Sequence, residues 1–202
     1  MEIELKLAID PDHHDRILRY PLLRSTQQQQ RMLHSIYFDT PDFALFHRRI
    51  ALRLRRVDEN WIQTLKAETR SVGALTSRPE WEMTVTDGHR PDFTALPAEA
   101  LEQLDGIELR QVAPVFITEF QRTSWLIGNN HAQAEVALDA GEIRAGESRR
   151  AISEVEIELK SGVPEFLFET AQRLLRHSPL QIEPRSKAER GYILCGALTP
   201  AP

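Results

Sequence analysis

The sequence predicts an α+β fold that is mainly antiparallel β-sheet, with a few helices packed against the sheet. Apolar and polar residues alternate along most of the chain, which is the period of a strand buried on one face. Short turn sequences, including those at 128–130 and 139–142, separate several of the alternating segments, as in antiparallel hairpins. One late segment, 163–177, instead carries apolar residues at the spacing of an amphipathic helix.

The elements follow in order along the chain. EIELKLAI is the first strand, and Asp10 and Pro11 begin a short helix that runs to about Tyr20. QQQQRMLHSIYFD is a long strand, and Thr40 and Pro41 begin a brief helical turn. IALRLRRV and WIQTLKAE form a hairpin around the turn DEN. Further strands are expected at 78–86, 114–128, 131–139 and 151–160, and helices at 92–104 and 163–177.

Composition restricts the class of protein. A chain of 202 residues with 41% hydrophobic content can bury the core of one large domain, which we place at 1–197, with 198–202 as a tail or linker. The net charge of -5 argues against nucleic-acid binding through bulk positive charge. Cys195 is the single cysteine, so an internal disulfide is excluded, and no apolar run is long enough for a membrane span. We therefore expect a cytoplasmic protein that binds neither nucleic acid nor membrane.

Charges are sorted by strand, with acids and bases on different segments. Each charged set alternates with apolar residues, so it occupies one face of its strand. The basic strand carries Arg53 and Arg55. The acidic sets are Glu2 and Glu4 with Lys6, then Glu80 and Glu82, Glu135 and Asp139, and Glu154, Glu156 and Glu158.

An ordinary sheet with one solvated face could also alternate in this way. A merely solvated face usually mixes signs, however, because opposite charges on neighbouring strands attract and like charges repel. Two like charges about 6.6 Å apart along a strand repel by about 2.5 kcal/mol at an effective dielectric constant near 20. The charged faces could instead line the inside of a closed or nearly closed sheet. A metal ion with a polyphosphate would then neutralise both the carboxylates and the cations.

The motifs also resemble a known family. EIELK fits the Glu-x-Glu-x-Lys signature of the CYTH superfamily, the triphosphate tunnel metalloenzymes. The resemblance keeps its order along nearly the whole chain and is nearest to the bacterial inorganic triphosphatase branch, through YFDTPD, LRLRR, QTLK, RPEWE, FITEFQRTSW, EVALDAGEI, EVEIELKSG and SKAERGY. It implies an eight-stranded closed antiparallel β-barrel that forms a tunnel, with helices outside, and hydrolysis of inorganic triphosphate with Mg²⁺ or Mn²⁺.

The resemblance also implies roles for individual residues. Metal binding falls to Glu2, Glu4, Asp139, Glu156 and Glu158. Triphosphate binding falls to Lys6, Arg53, Arg55, Lys66, Arg122, Lys187 and Arg190, and the catalytic set is Lys6, Glu156, Glu158 and Lys187. Glu80, Glu135 and Glu154 are further candidates on the same faces.

Alternative functions stay open at this point. Within the family, the substrate could be thiamine triphosphate or a nucleoside triphosphate, or ATP could be cyclised to cyclic AMP. Outside catalysis, the chain could be a polyphosphate-binding module. Some relatives carry a helical CHAD domain after this one, so we consider a CHAD domain in a longer native chain and a homodimer as further partners. The histidines lack zinc-ligand spacing, and no phosphate-binding glycine loop is present.

Overall fold

The structure is a computed structural model that describes residues 2–57, 59–67, 70–72 and 75–197. For residues 2, 70–72 and 75–78 the description covers the backbone alone. The side chain of Glu2, part of the DEN turn and the predicted tail at 198–202 therefore lie outside the described residues.

Eleven strands form one antiparallel sheet in the part of the chain that the structure describes. Their order in the sheet is β5-β6-β1-β10-β9-β8-β2-β3-β4-β7, and β11 pairs with β1. The strands are β1 (Glu2–Ile9), β2 (Gln28–Asp39), β3 (Ile50–Val57), β4 (Asn60–Ala67), β5 (Arg70–Val72), β6 (Leu75–Arg78), β7 (Glu80–Val85), β8 (Ala113–Gly128), β9 (Gln133–Ala145), β10 (Ser148–Ser161) and β11 (Leu180–Ile182).

Six α-helices accompany the sheet within the described ranges. They are α1 (His14–Leu18), α2 (Pro21–Arg24), α3 (Ala44–His47), α4 (Ala98–Glu102), α5 (Glu165–His177) and α6 (Lys187–Leu194). Short 3₁₀ turns occur at Pro11–His13, Phe93–Ala95 and Leu109–Gln111. Among the described residues, no helix is both long and apolar enough to cross a membrane.

The prediction of an antiparallel, sheet-rich α+β fold is confirmed, whereas the described strands differ from eight strands in a closed barrel. The pairing path is open, and its two ends are β5 and β7. Strand β6 pairs with β1 near one end of the path, and β7 pairs with β4 at the other. Only Pro79 separates β6 from β7 along the chain, so a single continuous stretch of chain contacts both ends of the path.

The apolar face of the sheet is covered by helices α1 to α5. One core cluster joins β1 and β8–β10 to α1, α2 and α5, where Leu167 and Leu174 of α5 are buried. A second cluster joins β2–β4 to α3 and α4. Burial of these apolar side chains supplies the main stabilising term of the fold, at about 25 cal/mol per Å² of apolar surface.

Helix α6 lies on the opposite, charged face, which the prediction of helices outside the sheet did not include. It begins with a capping box, in which the Ser186 hydroxyl accepts from the Glu189 amide and the Glu189 carboxylate accepts from the Ser186 amide. Gly191 allows close packing, because a Cβ atom there would lie within 2.5 Å of three ring atoms of Phe116. Tyr192 packs on the ring of Phe46, with centroids 4.5 Å apart.

Candidate active site

The charged face encloses a cavity of about 380 Å³. Its walls come from strands on both halves of the sheet and from the start of α6. Most of the side chains that line it are charged. The lining includes Glu4, Lys6, Arg31, Tyr37, Arg53, Arg55, Lys66, Glu80, Glu82, Arg122, Glu135, Glu156, Glu158 and Lys187. The alternating residues of separate strands thus converge on one cavity, as the sequence predicts, while the closed sheet around it stays a prediction.

Strand β3 supplies two guanidinium groups to this cavity. Arg53 and Arg55 are two residues apart, so both side chains point to the same face of the strand. Arg53 lies 3.6 Å from carboxylate oxygens of both Glu80 and Glu82, and its buried Nε has no hydrogen-bond partner among the described residues. The Arg55 Nε donates to the Ser35 hydroxyl at 3.0 Å. Arg55 makes no ion pair with any carboxylate that the structure describes.

The surroundings of Arg55 disfavour its charge. Burial lowers the pKa of Arg55 to about 9, and the positive charges of Arg53 and Arg122 act in the same direction. An anion with several oxygens would relieve this repulsion, because guanidinium groups bind phosphate oxygens through paired hydrogen bonds. This end of the cavity is therefore suited to a polyanion.

A dense ionic cluster lies under α6. Asp139, Glu154 and Glu156 offer oxygen atoms within 4.8 Å of one another. The Lys187 ammonium lies 2.6 Å from Asp139, 2.8 Å from Glu156, and also contacts Glu154. Arg122 donates to both oxygens of Asp139, at 2.8 and 2.6 Å, and contacts Glu156, while Arg190 contacts Glu154. Three cations of the chain itself thus face three carboxylates.

These contacts shift the pKa values of the cluster. Burial opposes the ionised form of Glu156, but the charges of Lys187 and Arg122 hold its pKa well below the usual range. Burial raises the pKa of Glu154 and outweighs its cationic neighbours. The carboxylates likewise raise the pKa of Lys187 despite its burial. Lys187 and Arg190 belong to α6, whereas the carboxylates belong to the sheet. Separating α6 from the sheet would leave buried charges unpaired, so the cluster favours the docked position of α6.

A second set of carboxylates forms a row across three strands. Glu4 of β1 is the register partner of Glu158 of β10, and Glu158 is the partner of Glu135 of β9. Like charges directly opposite each other destabilise a sheet unless a cation lies between them. Lys6 donates to Glu4 at 3.0 Å and Lys160 lies 2.7 Å from Glu158, so ammonium groups offset part of this charge.

The structure brings together most of the residues that the sequence predicts. The cavity is lined by the predicted residues Lys6, Arg53, Arg55, Lys66, Arg122, Lys187, Glu4, Glu156 and Glu158, and by the further candidates Glu80 and Glu135. Three other predicted residues do not line the cavity and are buried in the ionic cluster beside it: Asp139, Glu154 and Arg190. Lys66 pairs with Glu80 at 2.9 Å. The side chain of Glu2 is outside the described residues.

Sequence reasoning missed two cavity residues on β2. Arg31 lies directly opposite Arg122, and Tyr37 lies directly opposite Arg53. Both share a strand face with Ser35, so the period of two in QQQQRMLHSIYFD could have identified them once Ser35 was assigned to the charged face. Arg31 also lines a smaller adjoining cavity of about 190 Å³, where it meets the aliphatic residues Leu33, Val57 and Ile62.

Fold and cavity together define a class: an antiparallel sheet protein with an enclosed site of opposed carboxylates and cations. Within that class, the chain belongs to the CYTH domain family, whose model matches residues 1–192. The inorganic triphosphatase of Haemophilus influenzae is 36% identical over 195 residues, which cover 96% of this chain and 54% of the relative. The chain thus spans about half the length of that curated relative.

Solved structures show the same fold at lower identity. A candidate adenylyl cyclase from Hippeastrum, described as having a dominant triphosphatase activity, is 19% identical, with a TM-score of 0.63 over 99% of this chain and 98% of its own. A candidate adenylate cyclase from Bacillus halodurans, also 19% identical, has a TM-score of 0.60 over 94% and 96% of the two chains. A protein from Pyrococcus horikoshii is 18% identical, with a TM-score of 0.56 over 94% and 97%.

Proposed function

We propose that this protein hydrolyses inorganic triphosphate to pyrophosphate and phosphate in the charged cavity, with the help of a divalent metal ion. One observation carries the proposal: the same cavity contains guanidinium groups that repel one another and a row of opposed carboxylates. A triphosphate satisfies the first set and a metal ion satisfies the second. The relative from Haemophilus influenzae, which is named an inorganic triphosphatase, supports this choice of substrate.

We also propose that the sheet closes into a tunnel around the substrate. The continuous stretch from β6 to β7 contacts β1 on one side and β4 on the other, with Pro79 as the single residue between the two strands. Proline has no N–H group to donate to a neighbouring strand, which accounts for an interruption of pairing at this residue. The closed barrel implied by the family resemblance would then form through this stretch.

Triphosphate binding is assigned to cations from separate strands. Arg53 and Arg55 bind one part of the phosphate chain through paired N–H groups, and Arg122 faces them from β8. Lys6 and Lys66 approach from β1 and β4, as point charges. Phosphoryl transfer depends mainly on positioning and on neutralising the charge of the transferred group, so no nucleophilic side chain is needed.

Metal binding is assigned to the carboxylates nearest this site. Carboxylate oxygens are the ligands that Mg²⁺ and Mn²⁺ prefer, and Glu4, Glu156 and Glu158 present them to one cavity, with Glu2 on the same strand as Glu4. A bound divalent ion would neutralise phosphate oxygens during transfer. Lys187 and Arg122 engage both oxygens of Asp139 and both oxygens of Glu156, so these two carboxylates would reach a metal ion only after the two cations moved.

The remaining catalytic roles follow from position. Glu156 and Glu158 can orient an attacking water by accepting a hydrogen bond from it, because carboxylate oxygens are hydrogen-bond acceptors, and the lowered pKa of Glu156 keeps that carboxylate in the accepting form. Lys187, at the start of α6, and Lys6, directly opposite Glu156, hold Glu156 in place and add positive charge near the substrate. Arg190 fixes Glu154 and thereby the orientation of α6.

A phosphate-release assay tests the proposal. Inorganic triphosphate is supplied with Mg²⁺, with Mn²⁺ or with a chelator, and pyrophosphate serves as the control substrate. We expect one phosphate per triphosphate, no release from pyrophosphate and no turnover in the chelator. Faster turnover of thiamine triphosphate or a nucleoside triphosphate would move the assignment to that substrate, and formation of cyclic AMP from ATP would make the protein a cyclase. Metal-independent binding without turnover would make it a polyphosphate-binding module.

A further inference from the structure

Ser35 is a buried residue beneath the charged cavity that none of the roles above uses. It lies on β2, is fully buried, and is the register partner of Arg55 on β3 and of Thr118 on β8. Directly opposite residues on neighbouring strands share a face of the sheet, so the Ser35 side chain lies on the same side as the Arg55 guanidinium. Ser35 itself does not line the cavity. It can therefore act on a ligand only through a neighbour.

The neighbour that connects Ser35 to the cavity is Arg55. The Arg55 Nε donates to the Ser35 hydroxyl at 3.0 Å, which fixes the orientation of the planar guanidinium group. Within the described part of the chain, the guanidinium makes no other hydrogen bond. The N–H groups on its two terminal nitrogen atoms therefore remain for a ligand, and Arg55 lines the cavity in which that ligand would bind.

Other cations of the cavity are supported in a different way. Arg53, Lys66 and Arg122 each lie within ion-pair distance of a carboxylate of the protein. A polyanion that binds these groups has to compete with their carboxylate partners. A hydroxyl group accepts a hydrogen bond without carrying a charge, so Ser35 holds Arg55 and leaves its positive charge uncompensated.

We propose that Ser35 is a positioning residue, whose neutral hydroxyl orients the Arg55 guanidinium toward the phosphate chain and leaves the charge of that group for the ligand. The inference rests on the proposed function, since it takes Arg55 as part of the triphosphate site. Serine suits this role better than its alternatives. Alanine would leave the Arg55 Nε without its acceptor, and aspartate would form an internal ion pair that a phosphate would have to displace.

A double-mutant cycle tests whether Ser35 acts through Arg55. Titration calorimetry in a chelator measures the affinity for inorganic triphosphate of the unmodified protein, Ser35→Ala, Arg55→Gln and the double variant. We expect Ser35→Ala to weaken binding about 3- to 10-fold, as for the loss of one hydrogen bond, and to have no further effect when Arg55→Gln is already present. An unchanged affinity of Ser35→Ala, or an equal loss in both backgrounds, would overturn the inference.

Thr118→Val is the matched control for loss of a buried hydroxyl. Thr118 lies directly opposite Ser35, is also fully buried, and its hydroxyl has no hydrogen-bond partner among the described residues. Its affinity for triphosphate should stay within about twofold of that of the unmodified protein. A loss as large as that of Ser35→Ala would overturn the inference, because it would indicate a general effect of disturbing this part of the sheet.

Two further substitutions test whether the support of Arg55 has to be neutral. Ser35→Asn and Ser35→Asp introduce side chains of similar size, so a difference between them reports charge and not volume. Ser35→Asp should bind triphosphate at least about 10-fold more weakly than Ser35→Asn and should melt at a higher temperature without ligand, because aspartate would pair with Arg55. Equal affinities would contradict a role for neutrality.

Thermal melting checks the fold of every variant. If the two larger side chains prevent folding, the cycle with Ser35→Ala decides the inference by itself. Hydrolysis of triphosphate by the unmodified protein tests the proposed function separately, so failure of the proposed function and failure of this inference are distinguishable.

Discussion

Arg55 has the surroundings expected of a residue that serves binding at the expense of stability. It is half-buried, the charges of Arg53 and Arg122 oppose its own charge, and its Nε donates to the neutral Ser35 hydroxyl. A buried charge without a counter-ion destabilises the folded state. The ligand-free protein therefore carries an electrostatic strain that a bound polyanion would remove.

Replacing Arg55 with Gln should separate stability from binding. We expect Arg55→Gln to raise the free energy of unfolding by about 1 kcal/mol, because repulsion from Arg53 and Arg122 is removed. Triphosphate affinity should fall about 10- to 100-fold. Urea unfolding and calorimetry measure the two effects. Arg56→Gln, the next residue on β3 and on the opposite face, is the control for affinity. A variant that is less stable and binds normally would show that Arg55 is a structural residue.

Glu4 tests the metal assignment at the same scale. Glu4 is 5% exposed and accepts a hydrogen bond from Lys6, a contact that Gln can also accept. Glu4→Gln should therefore fold normally and lower kcat by about 100-fold or more, since a neutral ligand holds Mg²⁺ poorly. Phosphate release at increasing Mg²⁺ measures this change, with the exposed Glu99→Gln on α4 as the control. Wild-type hydrolysis by Glu4→Gln would make the assignment of Glu4 to the metal wrong.

Among the elements, α6 has the most direct influence on the site. Lys187 in its first turn joins the ionic cluster, and Gly191, one turn later, lies against the ring of Phe116. That ring is 3% exposed and packs between Tyr37 and Tyr192, so it has little room to move. The position of α6 is thus set by one close contact and by its ion pairs.

Gly191→Ala should change the stability of the protein in two opposite ways, through helix propensity and through steric contact. Alanine favours a helix over glycine by about 1 kcal/mol, yet its Cβ would meet the buried Phe116 ring. We expect the steric effect to dominate, lowering the free energy of unfolding by about 1–3 kcal/mol and reducing kcat, because Lys187 moves with the helix. Thermal melts and steady-state kinetics measure both. Increased stability with unchanged kcat would mean that α6 does not position Lys187 through this contact.

At the scale of the whole molecule, the cavity is assembled from segments spread along the chain. Its lining runs from Glu4 on β1 to Lys187 on α6. A ligand that binds this assembled cavity binds the folded chain and not the unfolded one, so binding and global stability must be linked.

Inorganic triphosphate should therefore raise the melting temperature. At about 100 times its dissociation constant, a ligand stabilises the folded state by about 2.7 kcal/mol, which corresponds to about 5–10 °C for a chain of this length. Differential scanning calorimetry measures the shift, and sulfate at equal ionic strength is the control for non-specific screening. An equal shift with sulfate would contradict a site built for a phosphate chain.

Much of the site could be predicted from sequence because strand alternation is local. Arg53 with Arg55, and Glu156 with Glu158, share a face by their spacing alone, and the structure places all four in one cavity. Strand pairing is not local. The bidentate ion pair of Arg122 with Asp139 depends on the register of β8 with β9, which the sequence alone does not specify. The sequence therefore predicts Asp139 as a metal ligand and does not reveal its ion pairs with Arg122 and Lys187.

Element boundaries were less predictable. The expected helix at 92–104 is a 3₁₀ turn, Phe93–Ala95, followed by α4, because Pro97 disfavours a helical conformation at Leu96 before it. The strand expected at 131–139 continues as β9 to Ala145, where few apolar residues alternate. Backbone pairing with β10 continues through this segment regardless of its side chains. The amphipathic pattern of α6 likewise does not specify which face of the sheet the helix covers, because that choice depends on tertiary packing.

The late position of α6 in the chain has a consequence for biosynthesis. Asp139 and Glu154, both fully buried, are made well before Lys187 and Arg190, the residues that neutralise them together with Arg122. Because a nascent chain emerges from its N-terminal end, the sheet can form on the ribosome while Glu154 still needs water or a proton, whereas Asp139 already has Arg122 as a partner. Maturation would then finish with the docking of one short helix, and a polypeptide released before that event would lack one wall of the charged cavity.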